Sequence, residues 1–447
     1  MTSRKSAAAK AAYEPGHVRS RRGLLGVLAA EAVALTGTRV SAIAIPWFVL
    51  VSTGSATLTG LTAFCELTPY VVVKALSGPL IDSVGPRPVS VLADVVSAGA
   101  VGLIPLLHLL GWLSYPVLLV LVAVAGAVRG PGDSAKEVFL PSVAEDAGVP
   151  ISRATGLAGT IERLSSMLGP GIAGVVVASM GPSAAIAINA GTFLVGGLII
   201  LGTVPGTVRQ QPAADATGQK PEPESAGYVE RLREGWDFLR RERMLRAIVT
   251  MIAITNLLDA ARSTVLLPVW TRGHGHGPAL IGLIGSTFGA TAVLGSVTAA
   301  VFAHRLRRRT TYLIGFLLAG PPQFVVLAVA PPVPVILAVM ALGGLGAGFI
   351  NPVISAIFFE RIPRRLLGRV NALSDSVCWV GIPLGGLAGA AAITAIGLAP
   401  ALLVGAGVYL VTTMRPVFVP AWSDMDVRTT TDEPRQSAYA ERSDRAD

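Results

Sequence analysis

The sequence predicts an all-α integral membrane protein, with twelve transmembrane helices arranged as two pseudo-symmetric six-helix bundles. Three observations carry this: long apolar runs between Leu24 and Pro420, alternate gaps that collect nearly all the Arg and Lys, and a second half that resembles the first. The hydrocarbon core of a bilayer requires about 20 apolar residues per helix. Runs of that length begin near Leu24, Thr57, Pro88, Tyr115, Ala154, Pro182, Met244, Pro278, Thr311, Pro332, Val370 and Ala399. At 52% hydrophobic and 14% charged residues over 447 positions, the chain is too apolar for a soluble multidomain enzyme.

The gaps set the orientation. Arg87, Lys136 to Arg153, Arg209 to Arg243, Arg305 to Arg309 and Arg361 to Arg369 are basic, as is the tail with Arg19, Arg21 and Arg22. The intervening gaps at Ser52 to Ala56, Gly111 to Ser114, Gly181, Ala330 to Pro332 and Gly397 hold no Lys or Arg; only Arg272 breaks the pattern. Because basic loops stay in the cytoplasm, both termini are expected there, with the protein in the plasma membrane. The formal charge of +9 then belongs to short loops facing anionic lipid, not to a nucleic-acid surface. The polar N-terminal tail leads into a long run without a small-residue cleavage pattern, so the first run is expected to remain as a span.

Residues 1–23 read as a cytoplasmic tail, 24–204 as the first bundle, 205–243 as a cytoplasmic linker, 244–419 as the second bundle and 420–447 as a disordered tail. Within the linker, Gln210 to Gly227 has a disordered composition. Tyr228, Leu232, Trp236 and Leu239 then recur at helical spacing among charges, which predicts an amphipathic helix on the inner membrane surface. Cys65 and Cys378 both fall in apolar runs, so neither a disulfide nor a thiolate metal site is supported. His274 and His276 lie in a Gly-His-Gly-His-Gly turn that reads as a flexible loop rather than a metal site.

Evidence of duplication is ordered along the chain. Pro46-Trp47 late in the first span answers Pro268-Val269-Trp270 in the seventh. Arg153 to Gly181 aligns without gaps on Arg369 to Gly397, matching at Arg153/Arg369, Leu157/Leu373, Leu168/Leu384, Gly169/Gly385 and Gly181/Gly397. Duplicated bundles that rock about a site at mid-depth are a common transporter plan.

Between the second and third runs stands Gly78-Pro-Leu80-Ile-Asp82-Ser-Val-Gly85-Pro-Arg87-Pro. This resembles the major facilitator superfamily, whose loop there reads Gly-x-Leu-x-Asp-Arg-x-Gly-Arg-Arg/Lys. Gly78, Leu80, Asp82, Gly85 and Arg87 match, while Ser83 and Pro86 replace basic residues. The resemblance implies a cytoplasmic latch between the halves, weakened by the two departures. In the second half His304-Arg-Leu-Arg-Arg-Arg309 keeps the charge without the Asp or Gly. The fifth run resembles the antiporter motif of drug–proton antiporters in that superfamily: Gly156, Ser165, Gly169-Pro170 and Ala173-Gly174 stand where the pattern has Gly, Gly, Gly-Pro and Gly-Gly. Small residues let helix backbones touch, and Pro170 supplies a bend. The stretches Leu140-Pro141 through Ala154 and Phe359-Glu-Arg-Ile-Pro363 through Gly368-Arg369-Val-Asn-Ala resemble loops of bacterial exporters of the macrolide-efflux and siderophore-export type.

Ionisable residues inside the spans need a reason, because each costs about 2.5–3.5 kcal/mol at mid-bilayer on insertion scales. Reflecting the chain about Ser52-Thr53 places Glu31 level with Lys74 and Arg39 level with Glu66; reflection about Gly111-Trp112 sets Asp94 level with Arg129. Asn256, Asp259 and Arg262 form one stripe in which Asp259 and Arg262 can pair along the helix. Glu162 and Arg163 are adjacent, so they point apart and seek separate partners. A carboxylate that loses its cation during a conformational change takes up a proton, the elementary step of proton coupling. Glu31 and Glu66 are the preferred carriers and Asp259 the rival; Asp94 with Arg129 reads as a structural pair.

The expectation is therefore a secondary exporter of a hydrophobic or amphiphilic small molecule, exchanged for protons by alternating access. Arg39, Asn256, Asp259, Arg262, Phe349, Asn351 and Phe358 are the expected cavity residues on spans one, four, seven and ten. No Gly-x-x-x-x-Gly-Lys-Ser/Thr is present, so a proton gradient is expected as energy source, with no cofactor, and the protein is expected to act as a monomer. Proton-coupled nutrient uptake is the alternative on the same fold. A membrane-embedded enzyme or sensor would call for a soluble domain or an interfacial His/Asp/Glu cluster, and the sequence has neither.

Overall fold

The computed structural model describes residues 21–204, 228–302, 307–363 and 366–418. The tail before residue 21 with Arg19, the linker stretch Gln210 to Gly227, the part of the second-half loop from His304 to Leu306 and the tail after residue 418 lie outside the described residues.

Every regular element among the described residues is helical. The first bundle comprises α1 (Arg22–Thr53), α2 (Ala56–Val84), α3 (Pro86–Leu109), α4 (Tyr115–Asp146) and the pair α5 and α6, which share the stretch Ile151–Thr203. That stretch is two crossings, because Gly181 breaks it with φ +84° and ψ 160°. The amphipathic α7 (Tyr228–Arg241) follows. The second bundle comprises α8 (Arg243–Gly273), α9 (Pro278–Phe302), α10 (Arg308–Val329), α11 (Val333–Arg361), α12 (Leu367–Ile396) and α13 (Leu398–Phe418). Among the described residues eleven helices are long and apolar enough to span a membrane, and the one broken at Gly181 supplies two of the twelve crossings. This is the twelve-helix, two-bundle membrane fold that the runs and gaps predict.

The internal repeat is visible in the backbone. Gly181 ends α5 with φ +84°, and its counterpart Gly397 ends α12 with φ +82°, a conformation open to glycine and costly to other residues. Gly169 of α5 packs on Arg39 of α1, and the matching Gly385 of α12 packs on Ala260 and Ala261 of α8. Corresponding helices thus touch corresponding partners.

In α8 the helix widens into a single π turn over Arg262–Leu266. Pro268 has no N–H to give and its ring crowds the preceding turn, which disfavours an ordinary α-turn there. The widened turn, closed by Leu267 N–H to Arg262 O, absorbs the misfit. Helix α7 lies on α12, with Gly235 against Leu373 and Arg369, Leu239 buried, and Glu234 accepting from Arg369 at 2.8 Å. It is therefore fixed to the second bundle.

The halves meet mostly toward the ends that lack basic loops. Gly174 of α5 lies against Gly282 of α9, so that a Cβ on Gly174 would sit 2.8 Å from the Gly282 Cα. Gly60 of α2 lies against Gly386 and Ala390 of α12, and the Thr57 and Thr394 hydroxyl oxygens are 3.4 Å apart. At the same end Arg272 of α8 donates to Leu50 O at the last turn of α1. Close to it, His274 and His276 stack on Trp270 at 4.5 and 5.8 Å between ring centroids. Nearer the basic ends the halves still touch where Tyr70 stacks on Trp379 at 6.3 Å between ring centroids, Lys74 Nζ lies 5.5 Å from the Trp379 ring centroid and Arg163 donates to Ser296, while Gly78, Gly156 and Gly159 have no neighbour within 4 Å of a would-be Cβ among the described residues.

Candidate functional site

A cavity of about 530 Å³ is lined mainly by the second bundle. Helix α8 supplies Ile252, Thr255, Asn256, Asp259, Arg262 and Ser263, and α11 supplies Ala347, Ile350, Asn351 and Ile354. Each set recurs at three- and four-residue steps, so each is one helix face. Phe288 of α9, Phe316 of α10, Ile382 of α12 and Tyr409 of α13 close the apolar walls, and Leu67 of α2 reaches in from the other half.

Asp259 and Arg262 are the charged residues of this lining. Arg262 Nη2 lies 3.7 Å from Asp259 Oδ1, an i,i+3 contact along α8. The carboxylate side chain keeps 40% of its exposure while that of Arg262 keeps 13%. The guanidinium also lies 6.0 Å from the Phe324 ring centroid. Asn256 turns its amide to Cys378 O at 3.0 Å, which ties α8 to α12. The cavity thus offers one paired acid and base and two amide side chains among aliphatic and aromatic walls, within the size range of small-molecule sites.

Three residues expected in the cavity lie elsewhere. Arg39 is in the first bundle, where it donates to Ser166 Oγ at 2.8 Å and packs on Gly169. Phe349 is two positions from Asn351, hence on the far side of α11. Phe358 is on the Asn351 face but two turns nearer the basic end, packed against the hydrophobic core. Spans one and four do not line the cavity. Tyr409, Phe288 and Phe316 come from helices remote in sequence, and only their aromatic character marks them.

The first bundle holds a separate network of charges. Its pairs differ from those expected by reflecting hairpins. Glu66 meets Arg129 of α4 at 3.7 Å rather than Arg39, and Arg129 also meets Asp133 at 3.8 Å. Lys74 meets Glu137 of α4 at 3.3 Å rather than Glu31. Asp94 accepts from Lys136 at 2.8 Å rather than pairing with Arg129. The reflection assumed that chain neighbours pack face to face. Instead α1 packs on α5 and α6, through Gly26 on Thr203, Gly37 on Thr192 and Gly169 on Arg39. Helix α2 packs on α4, where Gly126 and Gly130 lie against the backbone of Glu66 and Tyr70.

Lys136 reads from the sequence as a basic loop residue. In fact α4 continues to Asp146, so Asp133, Lys136 and Glu137 are helical, and Lys136 is buried at 7% exposure. Tyr70 joins the network by donating to Asp133 Oδ2 at 3.3 Å and lying under Arg129, 4.5 Å from its ring centroid. Glu31 is half-buried and makes no ion pair or hydrogen bond among the described residues. Glu162 and Arg163 do point to separate surroundings, Arg163 donating to Ser296 Oγ of α9 at 3.2 Å.

The two motifs divide by depth. In the fifth-span motif Gly169, Pro170 and Gly174 are contact residues, Pro170 lying against Gly285 of α9, and Ser165 is buried. Gly156 faces open space. In the loop between α2 and α3, Gly85 makes the turn with φ +95°, and Arg87 donates to Leu201 O of α6 at 2.7 Å, within its own bundle. Leu80 and Asp82 are exposed, and Asp82 has no ion pair or hydrogen bond among the described residues. In the second half Arg308 forms a two-pronged pair with Glu360 at 2.6 and 2.7 Å, again within one bundle.

Comparison with known proteins agrees with this architecture. The family model described as Major Facilitator Superfamily matches residues 27–277 and 252–443. The multidrug efflux pump Tap of Mycobacterium tuberculosis is 30% identical over 421 residues, covering 93% of this chain and 97% of that protein. Macrolide efflux protein A of Streptococcus pyogenes is 22% identical over 370 residues, covering 80% and 86%. Among solved structures, a mutant of the nucleoside transporter NupG superposes with TM-score 0.72 at 14% identity, covering 91% of this chain and all of that one. A bacterial homologue of the lysosomal transporter Spinster, in an inward-facing and unoccupied conformation, gives TM-score 0.65 at 13% identity.

Proposed function

Because the chain belongs to the major facilitator superfamily, a family of membrane transporters, we propose that it exports a hydrophobic or amphiphilic small molecule in exchange for protons. The observation that carries this reading is the cavity beside the Asp259–Arg262 pair, whose lining comes from the middle and basic-end turns of its helices. The relatives named as multidrug and macrolide efflux proteins favour export over uptake. With the basic ends taken as cytoplasmic, and both termini with them, the cavity faces the cytosol, where an exporter's cargo arises.

Substrate enters between the halves, sets its apolar surface on Phe288, Phe316, Ile350 and Ile354, and exchanges polar contacts with Asp259, Arg262, Asn256 and Asn351. Closing the basic ends and opening the opposite ends carries it across. Coupling is assigned to the first bundle. Glu66 faces Arg129 at 3.7 Å in this conformation; in the proposed cycle the helices shift, Arg129 turns to Asp133 alone, and the carboxylate left without its cation is the site that takes up the proton. Glu31, with no cation in contact, is a second carrier. No cofactor or partner subunit enters this scheme: the proton gradient drives it, and one chain suffices.

The test uses everted membrane vesicles holding a respiratory pH gradient, followed with a pH-sensitive dye. Ethidium and erythromycin serve as probes, one a flat cation and one a macrolide. Probe-dependent collapse of the gradient, absent with Glu66→Gln, supports proton-coupled export. Probe accumulation in right-side-out cells, driven by an inward proton gradient, would show uptake instead and overturn it.

A further inference from the structure

We infer that Trp379 of α12 is a positioning residue for the Glu66 site: stacked on Tyr70 across the boundary between the halves, it sets where the Arg129 guanidinium stands between Glu66 and Asp133. The inference rests on the proton-coupled reading above, in which Glu66 takes up the proton.

Four side chains build the site from two helices. Glu66 and Tyr70 are four apart on α2, and Arg129 and Asp133 are four apart on α4, so each pair shares a helix face. Gly126 and Gly130 let the α4 backbone press against the backbone of Glu66 and Tyr70, which interlocks the two helices. Movement in this site is therefore movement of side chains, and Arg129 is the one poised to move. It approaches Glu66 to 3.7 Å and Asp133 to 3.8 Å, both longer than a hydrogen bond, and its buried Nε has no hydrogen-bond partner. A small turn of the side chain decides which carboxylate it serves. What confines the guanidinium is Tyr70, whose ring centroid lies 4.5 Å from it and whose hydroxyl donates to Asp133 Oδ2 at 3.3 Å.

Tyr70 is also the member of the four that reaches the other half. It stands at the middle of α2 and stacks on Trp379 at 6.3 Å between centroids and 22° between planes, within the range of a favourable aromatic pair. Among the described residues no ion pair, hydrogen bond or ring contact joins Glu66, Arg129 or Asp133 directly to the second bundle. Lys74, one turn on, lies 5.5 Å from the Trp379 ring centroid but pairs with Glu137 at 3.3 Å. The same turn of α12 is tied to the substrate cavity, since Asn256 of the lining donates to Cys378 O at 3.0 Å. When the halves rock, α12 carries Trp379 across Tyr70. The phenol turns, and the guanidinium resting on it swings from Glu66 toward Asp133. A carboxylate with no direct bond to the second bundle thereby responds to that bundle's position.

Trp379→Leu removes the stack, and Trp379→Phe keeps a ring there. Trp379 is 37% exposed, so neither change empties the packed core. A structure of Trp379→Leu should show Arg129 at Asp133 alone, with α2 and α4 unmoved; a guanidinium still standing between both carboxylates overturns the inference. Proteoliposomes are then assayed with ethidium or erythromycin, whichever the wild type moves. Gradient-driven transport should fall about tenfold in Trp379→Leu, the effect of a strong aromatic pair, while gradient-free probe exchange stays within about twofold of the wild type. Trp379→Phe should recover most of the driven rate. A driven wild type with Trp379→Leu equally driven, or with Trp379→Phe no better than Trp379→Leu, overturns the positioning role and leaves the coupling reading intact, whereas an undriven wild type overturns both. Should Trp379→Leu fail to fold, Tyr70→Leu removes the same stack from the other half and is read by the same two rates. Equal loss of drive and exchange, or failure of both variants to fold, assigns the pair to packing and also overturns the inference.

Discussion

Breaking the Asp94–Lys136 pair should cost more stability than any other single charge change in the first bundle. Lys136 Nζ donates to Asp94 Oδ1 at 2.8 Å, and the two side chains keep only 8% and 5% of their exposure. Asp94→Asn leaves the ammonium buried beside a neutral amide, and Lys136→Met leaves the carboxylate without its cation. Removing one partner of a buried pair typically costs about 3–5 kcal/mol, most of it the penalty of the stranded charge. The double variant Asp94→Leu/Lys136→Met strands nothing and replaces both groups with apolar volume, so it should return to within about 1 kcal/mol of the wild type or exceed it. The assay is unfolding by sodium dodecyl sulfate in mixed micelles, followed by circular dichroism and analysed as a double-mutant cycle. Single variants within about 1 kcal/mol of the wild type, or a double variant no better than its worse parent, would refute the reasoning. With folding recovered, the same double variant also separates a stabilising role for the pair from a role in proton movement.

Three other outcomes are expected. Glu66→Gln should abolish probe-dependent proton movement yet retain probe exchange and folding, because Arg129 keeps Asp133 at 3.8 Å; loss of expression comparable to Arg129→Met would contradict this. Asp259→Asn should weaken ethidium binding by about tenfold, the loss of one charge-assisted contact, and leave erythromycin binding within about twofold, which equilibrium dialysis can measure. Gly174→Ala should impair transport, because its Cβ would meet the Gly282 Cα at 2.8 Å, whereas Gly156→Ala meets nothing within 4 Å and should be silent or stabilising. Equal activities for these two variants of one motif would contradict the assignment of Gly174 to the contact between halves.

What was legible in the sequence was local or repeated. The apolar runs gave the crossings, since length and composition suffice for a helix in lipid. The gap-free alignment of Arg153 to Gly181 on Arg369 to Gly397 paired Gly181 with Gly397, and these two end equivalent helices with the same backbone twist. Asp259 and Arg262 could be paired because they lie three apart on one helix. The other ion pairs could not. Matching levels within a hairpin ignores which face each helix turns to which neighbour, and α4, lying against both α2 and α3, supplies the partner of Glu66, Lys74 and Asp94 alike. Nor could Lys136 be placed, because a helix of 32 residues outruns the hydrocarbon layer and its last turns look like a loop in composition. Phe288, Phe316 and Tyr409 meet across four helices, a convergence that periodicity along a single helix does not reveal.

The lone arginine on the otherwise uncharged face has a consequence for the cycle. Its bond runs from one half to the other, from Arg272 to the last-turn carbonyl of Leu50, where the dipole of α1 is negative. Such a bond exists only while these ends are together, so its whole strength weights one side of the equilibrium between the two accessible states. In the proposed orientation this bond favours the state whose mouth faces the cell interior. Each export stroke must first unclasp that arginine, and the return stroke regains it, so empty carriers are drawn back to where the next molecule waits.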